Sequence, residues 1–183
     1  TPNGPDPEAF VAGDPQNAPC GCVATAMAQI MRYHKYPTKS LPQITRTCYW
    51  QDIDDEGSQE IAMDLTTQGG LYDWDKMFEM PGMQMLSEEE YQAIGKLTSD
   101  AGISVSMSYS PAGSGAYIYD MTKAMKDYWG FASAVYLDLF SNGHFYVSPE
   151  NIPEVSRKAL YTNLDAGLPV FMLVPGHIVI ADG

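Results

Sequence analysis

The sequence predicts an α+β domain that combines a helical lobe with an antiparallel sheet lobe. A stripe of apolar residues at helical spacing runs through 22–34, early in the chain. Two apolar runs at 169–174 and 178–181 are separated by Pro175-Gly176, the pattern of two strands joined by a tight turn. We therefore expect helices to gather early and strands late, in one domain spanning residues 1–183.

The first helix is predicted to begin at Cys22 and to stop before Pro37. Alanines within it favour helix and allow close packing, and its apolar residues recur three and four positions apart: Val23, Met27, Ile30 and Met31. Two prolines and a glycine in 13–19 predict an irregular loop before the helix. A thiol is thus expected at a helix N-terminus.

Turn and cap residues organise the middle of the chain. Acidic residues between 52 and 60 predict a solvated turn, followed by a helix from about Ile61. Residues 87–90 form a capping-box pattern that starts a helix ending at Gly102, and the alternation in 103–107 predicts a strand. Cys48 lies in a run that predicts a buried strand.

The chain from residue 110 onward adds a loop, two helices and further strands to the prediction. The glycine-rich loop 110–116 is either a plain connection or a segment that lines or gates a cleft, and it leads into a helix that ends at Gly130. Residues 133–140 predict a strand, and a helix over about 153–165 precedes the two C-terminal strands.

A cysteine at a helix N-terminus is in the position of a nucleophile. Unpaired backbone N–H groups and the positive end of the helix dipole favour the thiolate, which is the reactive form. Gln16 lies six positions before Cys22, and its side-chain amide with the backbone N–H of Cys22 would form an oxyanion hole. Each residue considered singly also fits an ordinary role, Cys22 as a small apolar side chain and Gln16 as a polar loop residue.

The chain has three histidines, of which His177 is the candidate base. His34 lies three turns after Cys22 on the same predicted helix, too far to accept its proton, and is expected to be partly buried at the helix end. His144 lies in a turn sequence. His177 begins the last strand after a tight turn, and a helix-start cysteine with a distant strand histidine is the arrangement of a thiol hydrolase.

Cysteine spacing argues against a metal site and against a disulfide framework. Cys20 and Cys22 are separated by one residue, closer than the usual zinc ligand pairs, and the sequence has no second pair. A disulfide between these two residues would be strained. Cys20 is therefore expected to be a free thiol that packs, rather than a redox switch.

Composition narrows the possible partners. With 45% hydrophobic residues over 183 positions the chain can bury a substantial core, while a formal net charge of −13 argues against nucleic acid and anionic membranes. A cationic peptide substrate, or simply the solubility of the protein, accounts for this charge better. The longest apolar runs fall short of the ~20 residues of a membrane span, and no signal peptide is recognisable.

Three motifs together carry a family resemblance: Gln16, the run 21–37, and Gly176-His177 followed by Asp182-Gly183. Further likeness at 72–74, 100–109 and 110–116 extends it over most of the chain. In these motifs the chain resembles the streptopain family, peptidase C10. This is a papain-like group of secreted bacterial cysteine peptidases, some of which are called thiol protease/haemagglutinins.

The resemblance implies a papain-like fold and a secreted or cell-surface cysteine endopeptidase, made as a zymogen and needing no cofactor. It implies that Cys22 is the nucleophile, His177 the general base and acid, and Gln16 the oxyanion donor. The implied substrate is a protein or peptide. A prodomain or a C-terminal segment of the same protein is the implied partner.

Two departures accompany the resemblance. In the family an Asn-Trp-Gly-Trp-Gly segment follows the histidine strand and holds the imidazole, whereas this sequence stops at Gly183. We therefore expect the C-terminal part of the sheet lobe and the prodomain to be missing from this sequence. Such a fragment can be inactive on its own. Cys20 stands where the family more often has a small or hydroxyl residue.

Three other functions stay open at this point. Another papain-fold thiol hydrolase would act on cell-wall peptides or leader peptides. A non-catalytic, adhesin-like binding module would retain the cysteine and histidine without activity. A structural protein would hold Cys22 as an ordinary core thiol, which predicts slow alkylation.

Overall fold

A computed structural model describes residues 17–54, 57–78, 85–137 and 152–182. The described residues up to Ala134 form one unit, and those from Val135 onward form a second. The first unit combines helices with a three-stranded sheet, and the described part of the second combines one helix with a two-stranded sheet, as the α+β prediction requires. None of the helices in the described ranges is long and apolar enough to cross a bilayer.

Helix α1, Cys22–His34, forms where the apolar stripe predicts it. It packs against α2, Glu88–Ser104, and α3, Ile118–Asp127, which lie later in the same unit. The helix ends at His34 and is capped by Lys35, whose left-handed backbone lets two N–H groups turn back onto the carbonyls of the last turn. Its buried face is wholly apolar and consists of Val23, Ala24, Ala26, Met27, Ala28, Ile30 and Met31.

Helix α2 begins with the predicted capping box. The Ser87 hydroxyl accepts the N–H of Glu90, and the Glu90 carboxylate accepts the N–H of Ser87 at 2.7 Å. The predicted end at Gly102 is wrong, because the helix continues to Ser104. The strand predicted for 103–107 is also wrong, since the short strand β3 comprises only Ser108–Tyr109.

A long hairpin lies between α1 and α2. Strand β1, Thr45–Asp54, pairs antiparallel with β2, Gly57–Thr66, and parallel with β3, giving the order β2-β1-β3. The helix predicted from about Ile61 is therefore wrong, and so is the expectation that strands gather late. Cys48 is fully buried on β1, as its sequence predicts.

A buried carboxylate fixes the segment that follows the hairpin. Asp100 on α2 is completely buried and accepts the backbone N–H groups of Gln68 and Gly69 at 2.7 and 3.0 Å. The same carboxylate accepts the hydroxyl of Tyr72 at 2.8 Å. Tyr72 in turn packs on the fully buried ring of Trp129, 5.4 Å between centroids. A short 3-10 helix, Trp74–Lys76, follows.

The second unit contains the C-terminal elements in their predicted places. Helix α4 is Glu154–Asp165, and strands β4, Val170–Val174, and β5, His177–Ala181, form an antiparallel pair. The strand predicted for 133–140 is not formed over 133–137, and its remainder lies outside the described residues.

Candidate active site

Cys22 is the first residue of α1, as predicted. Gly21 caps the helix with φ 87° and ψ 153°, a backbone conformation that is accessible essentially to glycine alone. The first turn of the helix is Cys-Val-Ala-Thr. Its first backbone N–H groups have no partner within the helix and point out of the N-terminal end, where Gly21 has no side chain to cover them. The thiol is partly exposed at this helix end.

Gly21 is also required by close packing. A Cβ added at this residue would lie 2.8 Å from the backbone oxygen of Ser114 and 3.2 Å from Sδ of Met107. Both are closer than a Cβ normally approaches another atom. Because residue 21 is a glycine, the backbone just before Cys22 can pack closely against the loop 110–116 and the buried Met107 side chain.

The loop 110–116 is tied to itself by hydrogen bonds. Ser108 and Gly115 exchange both backbone hydrogen bonds, at 2.9 and 3.0 Å, and Gly113 donates its N–H to the carbonyl of Ser110 at 3.0 Å. The Ser110 hydroxyl accepts the N–H of Ala112 at 3.2 Å. The loop also lies against Gly21, the residue before Cys22. Both interpretations of it, a segment that lines or gates a cleft and a plain connection, stay predictions.

The three cysteines occupy different environments. Cys48 is buried, and burial raises the pKa of its thiol to about 12, with a smaller contribution from the Asp64 charge. Cys20 and Cys22 are both free and partly exposed. Cys20 is free as expected, but its sulfur also lies 3.3 Å from the hydroxyl oxygen of Thr25, a contact that the sequence did not suggest.

His177 is the first residue of β5, and its side chain is exposed. It follows the turn at Gly176, where φ is 70°, and pairs with Val174 across the hairpin. The adjacent Ile178 is buried and anchors the strand. Cys22 lies in the first unit and His177 in the second, so the pairing of these two residues stays a prediction.

The other candidate residues are distributed as follows. Gln16 and His144 lie outside the described residues, and the role of Gln16 stays a prediction. His34 is the last residue of α1, but it is exposed, which corrects the expectation of partial burial. Within the described ranges, no group of three or more His, Cys, Asp or Glu side chains is arranged to hold a metal ion.

Two features of the site were missed from the sequence. The left-handed cap at Gly21 has a local signal, since glycine is the residue that such a backbone requires. The contact between Cys20 and Thr25 has none, because it depends on how the loop enters the helix. Both features lie within one helical turn of the thiol.

An α+β fold with a cysteine as the first residue of a helix agrees with the papain-like class that the sequence motifs predict. A profile described as the Peptidase C10 family matches residues 5–183, nearly the whole chain. The chain therefore belongs to the peptidase C10 family, as its motifs predicted. This confirms the predicted family and the papain-like α+β fold.

Individual relatives support the same assignment. The chain is 30% identical to streptopain of Streptococcus pyogenes serotype M1 over 179 residues, 98% of this chain and 42% of that protein. It is 33% identical to the thiol protease/hemagglutinin PrtT of Porphyromonas gingivalis over 114 residues, 61% of this chain and 12% of that protein. The chain thus spans about two-fifths of the length of streptopain.

Two solved structures share the fold. A prointerpain A fragment of Prevotella intermedia superposes with a TM-score of 0.67 at 28% identity, over 89% of this chain and 48% of that one. The active wild-type interpain A cysteine protease of the same organism superposes with a TM-score of 0.61 at 23% identity, over 94% of this chain and 67% of that one. At that identity the second likeness concerns the fold alone.

Proposed function

We propose that this chain is the catalytic part of a secreted bacterial cysteine endopeptidase. The observation that carries the proposal is the partly exposed thiol of Cys22 at the start of α1, in a chain of the peptidase C10 family. A free, partly exposed thiol at a helix N-terminus is in the position of a nucleophile, since helix N-termini in general favour anions.

The reaction we propose is acyl transfer through Cys22. Its thiolate attacks the scissile carbonyl carbon and forms a C–S bond, and the carbonyl oxygen becomes an oxyanion. The backbone N–H of Cys22 and the side-chain amide of Gln16 donate to that oxyanion. The first donor is supported by the helix start described above, while the second is implied by the family motif.

His177 is the proposed proton carrier. It takes the thiol proton, passes it to the leaving amine as the C–N bond breaks, and then removes a proton from water that hydrolyses the thioester. Its exposed position at the start of β5 supports this role, because a general base must be open to substrate and to water. Regeneration of the thiol completes the cycle without a cofactor.

Protein substrates, zymogen formation and secretion belong to the same proposal. Proteolysis accords with the relatives named streptopain and thiol protease/hemagglutinin. A prodomain accords with the prointerpain A fragment. The net charge of −13 favours cationic segments of substrate by long-range attraction, an effect that salt should weaken.

The test uses the chain in its natural full-length context, assayed on casein and on a fluorogenic peptide. Cys22→Ala is expected to abolish hydrolysis, whereas Cys48→Ala, at the buried thiol on β1, should retain it as long as the protein stays folded by circular dichroism. His177→Ala should lower kcat by about 10³-fold or more. The matched control is His34→Ala, at the exposed end of α1.

Three outcomes would contradict the proposal in different ways. Cleavage of peptidoglycan peptides with no cleavage of casein would indicate a cell-wall hydrolase of the same fold. Failure of an epoxide thiol-protease inhibitor to label Cys22, with no hydrolysis, would indicate a binding module. Alkylation of Cys22 at the rate of an ordinary thiol would indicate a structural cysteine.

A further inference from the structure

The hydroxyl of Thr25 lies within the first turn of α1 and turns back toward the residue before the thiol. Its oxygen Oγ1 donates to the carbonyl oxygen of Gly21 at 2.9 Å. The backbone N–H of Thr25 donates to the same oxygen at 3.1 Å. The carbonyl of Gly21 therefore has both of its lone pairs engaged by one residue.

A third group completes the chain of hydrogen bonds. The sulfur of Cys20 lies 3.3 Å from Oγ1 of Thr25. A threonine hydroxyl has a single proton, and here that proton points to Gly21, so the thiol of Cys20 is the donor to Thr25. The order is Cys20 S–H to Thr25 O–H to the carbonyl of Gly21.

The carbonyl of Gly21 and the N–H of Cys22 belong to the same peptide unit. A trans peptide is planar, and its C=O and N–H groups point in opposite directions. Holding the carbonyl toward the body of α1 consequently aims the N–H of Cys22 out of the helix end. That N–H is the backbone oxyanion donor of the proposed reaction.

This peptide unit needs to be held by contacts of its own. Gly21 has φ 87° and no side chain, and no side chain caps the start of α1, so the hydrogen bonds to the Gly21 carbonyl help to fix the rotation of this peptide unit. Two hydrogen bonds to its carbonyl also polarise the peptide and strengthen the N–H as a donor. Preorganised donors of this kind contribute most when they do not have to reorient during reaction.

We propose that Thr25, held by the thiol of Cys20, is a positioning residue for the backbone N–H of Cys22. The inference rests on the proposed peptidase function and deepens it, since it names the groups that set the oxyanion donor. It also gives Cys20 a role other than packing. The interaction does not involve His177 or Gln16.

The primary test compares Thr25→Val, which removes the hydroxyl at nearly constant shape, with Thr25→Ser, which keeps it. Thr25→Val is expected to lower kcat by about tenfold or more with KM within about twofold, because a donor misaligned by a fraction of an ångström loses transition-state stabilisation. Thr25→Ser should stay within about threefold of the unmodified protein. Equal kcat in the unmodified protein and Thr25→Val would overturn the inference.

Inhibitors separate positioning from a general structural effect. A peptide aldehyde adds to Cys22 and forms an oxyanion, so its affinity for Thr25→Val should fall by about tenfold. Iodoacetamide forms no oxyanion, and its rate with Cys22 should change by less than about threefold. Parallel losses with both reagents would mean that Thr25 only holds the helix together, which would overturn the inference.

Cys20 supplies a second, smaller test. Cys20→Ala removes the donor to Thr25 and is expected to lower kcat by about threefold, whereas Cys20→Ser supplies a hydroxyl donor and should restore it. If Cys20→Ser loses as much as Cys20→Ala, the thiol only packs. Failure of the proposed function is distinct, because the unmodified protein would then hydrolyse nothing and both proposals would fall.

Discussion

The backbone oxygen of Ser114 lies 2.8 Å from the point where a Cβ on Gly21 would stand. This approach and the φ of 87° both exclude a side chain from the residue before Cys22. Gly21→Ala is expected to lower the free energy of unfolding by about 2–4 kcal/mol and to reduce hydrolysis sharply. Urea unfolding and peptide hydrolysis measure the two effects.

Gly115→Ala is the matched control for that change. Gly115 lies in the same loop, but a Cβ there meets no atom within 4 Å among the described residues, and its φ is not positive. This variant should unfold within about 0.5 kcal/mol of the unmodified protein. If Gly21→Ala and Gly115→Ala behaved alike, the close contact at Ser114 would not be a constraint on the helix start.

Asp100 is predicted to be essential for stability. Each of its carboxylate oxygens accepts a hydrogen bond, one from Gln68 and the other from both Gly69 and Tyr72. In Asp100→Asn one oxygen becomes an amide NH₂ that must face an N–H donor, whichever way the amide turns. We expect a loss of about 2–4 kcal/mol in the free energy of unfolding.

The control for this substitution is Asp75→Asn at the surface. Asp75 pairs with Lys35 at 2.6 Å, but both side chains are largely exposed, and exposed pairs contribute little. The urea midpoint of Asp75→Asn should not move beyond experimental error. A midpoint for Asp100→Asn equal to that of the control would show that the buried carboxylate does not anchor residues 68–72.

Alkaline pH is predicted to destabilise the first unit. Burial raises the pKa of the Cys48 thiol to about 12 and also raises the pKa of Tyr109. In the unfolded chain these groups ionise at about 8.5 and about 10. Their protonated forms therefore contribute stability that is fully present below pH ~8.5 and is lost as the pH rises toward the folded-state values.

Urea unfolding between pH 7 and 11 measures this loss. Each group steepens the fall of the unfolding free energy by about 1.4 kcal/mol per pH unit once its unfolded form ionises. Tyr109→Phe removes one such group, so its profile should be shallower above pH ~10. A profile for Tyr109→Phe that runs parallel to that of the unmodified protein would contradict the assigned burial effect.

Local patterns predicted the elements that carry the candidate residues. The apolar residues at helical spacing after Cys22 correctly predicted where α1 begins. The apolar runs on either side of Pro175-Gly176 correctly predicted a hairpin with His177 as the first residue of β5. The capping box at Ser87 also formed as expected. In each case the signal lies within a few neighbouring residues, so the rest of the fold does not alter it.

The errors arose where distant packing decides. Gly102 was interpreted as a helix end, but a Cβ there would lie 2.7 Å from the hydroxyl of Tyr109, so glycine serves a close contact inside α2. The helix predicted from Ile61 is a different kind of error, because a local pattern was present: Ile61, Met63 and Leu65 alternate with exposed residues and lie on the less exposed face of β2.

Only the features of the site that depend on neighbouring residues could be predicted from the sequence. A helix-start cysteine follows from sequence, whereas the hydrogen bonds of Thr25 depend on how the chain enters α1. The loop 110–116 was recognised as glycine-rich, but its contact with Gly21 spans more than 90 residues of chain and has no local pattern. Such long-range contacts are set by the whole packing of the unit.

The three thiols are predicted to react with iodoacetamide in a fixed order at neutral pH. Cys22, partly exposed at the start of α1, should react first, and Cys20, partly exposed and hydrogen-bonded to Thr25, should follow. Cys48 should react last, at a rate lower by about 10³-fold or more, because its buried thiol stays protonated and becomes accessible only when the structure opens locally.

Peptide mapping by mass spectrometry over time measures all three alkylation rates, and labelling in urea should make these rates similar. Modification of Cys48 as fast as that of Cys20 in the folded protein would contradict the burial of the Cys48 side chain. A slower reaction at Cys22 than at Cys20 would contradict an activated thiol at the helix start.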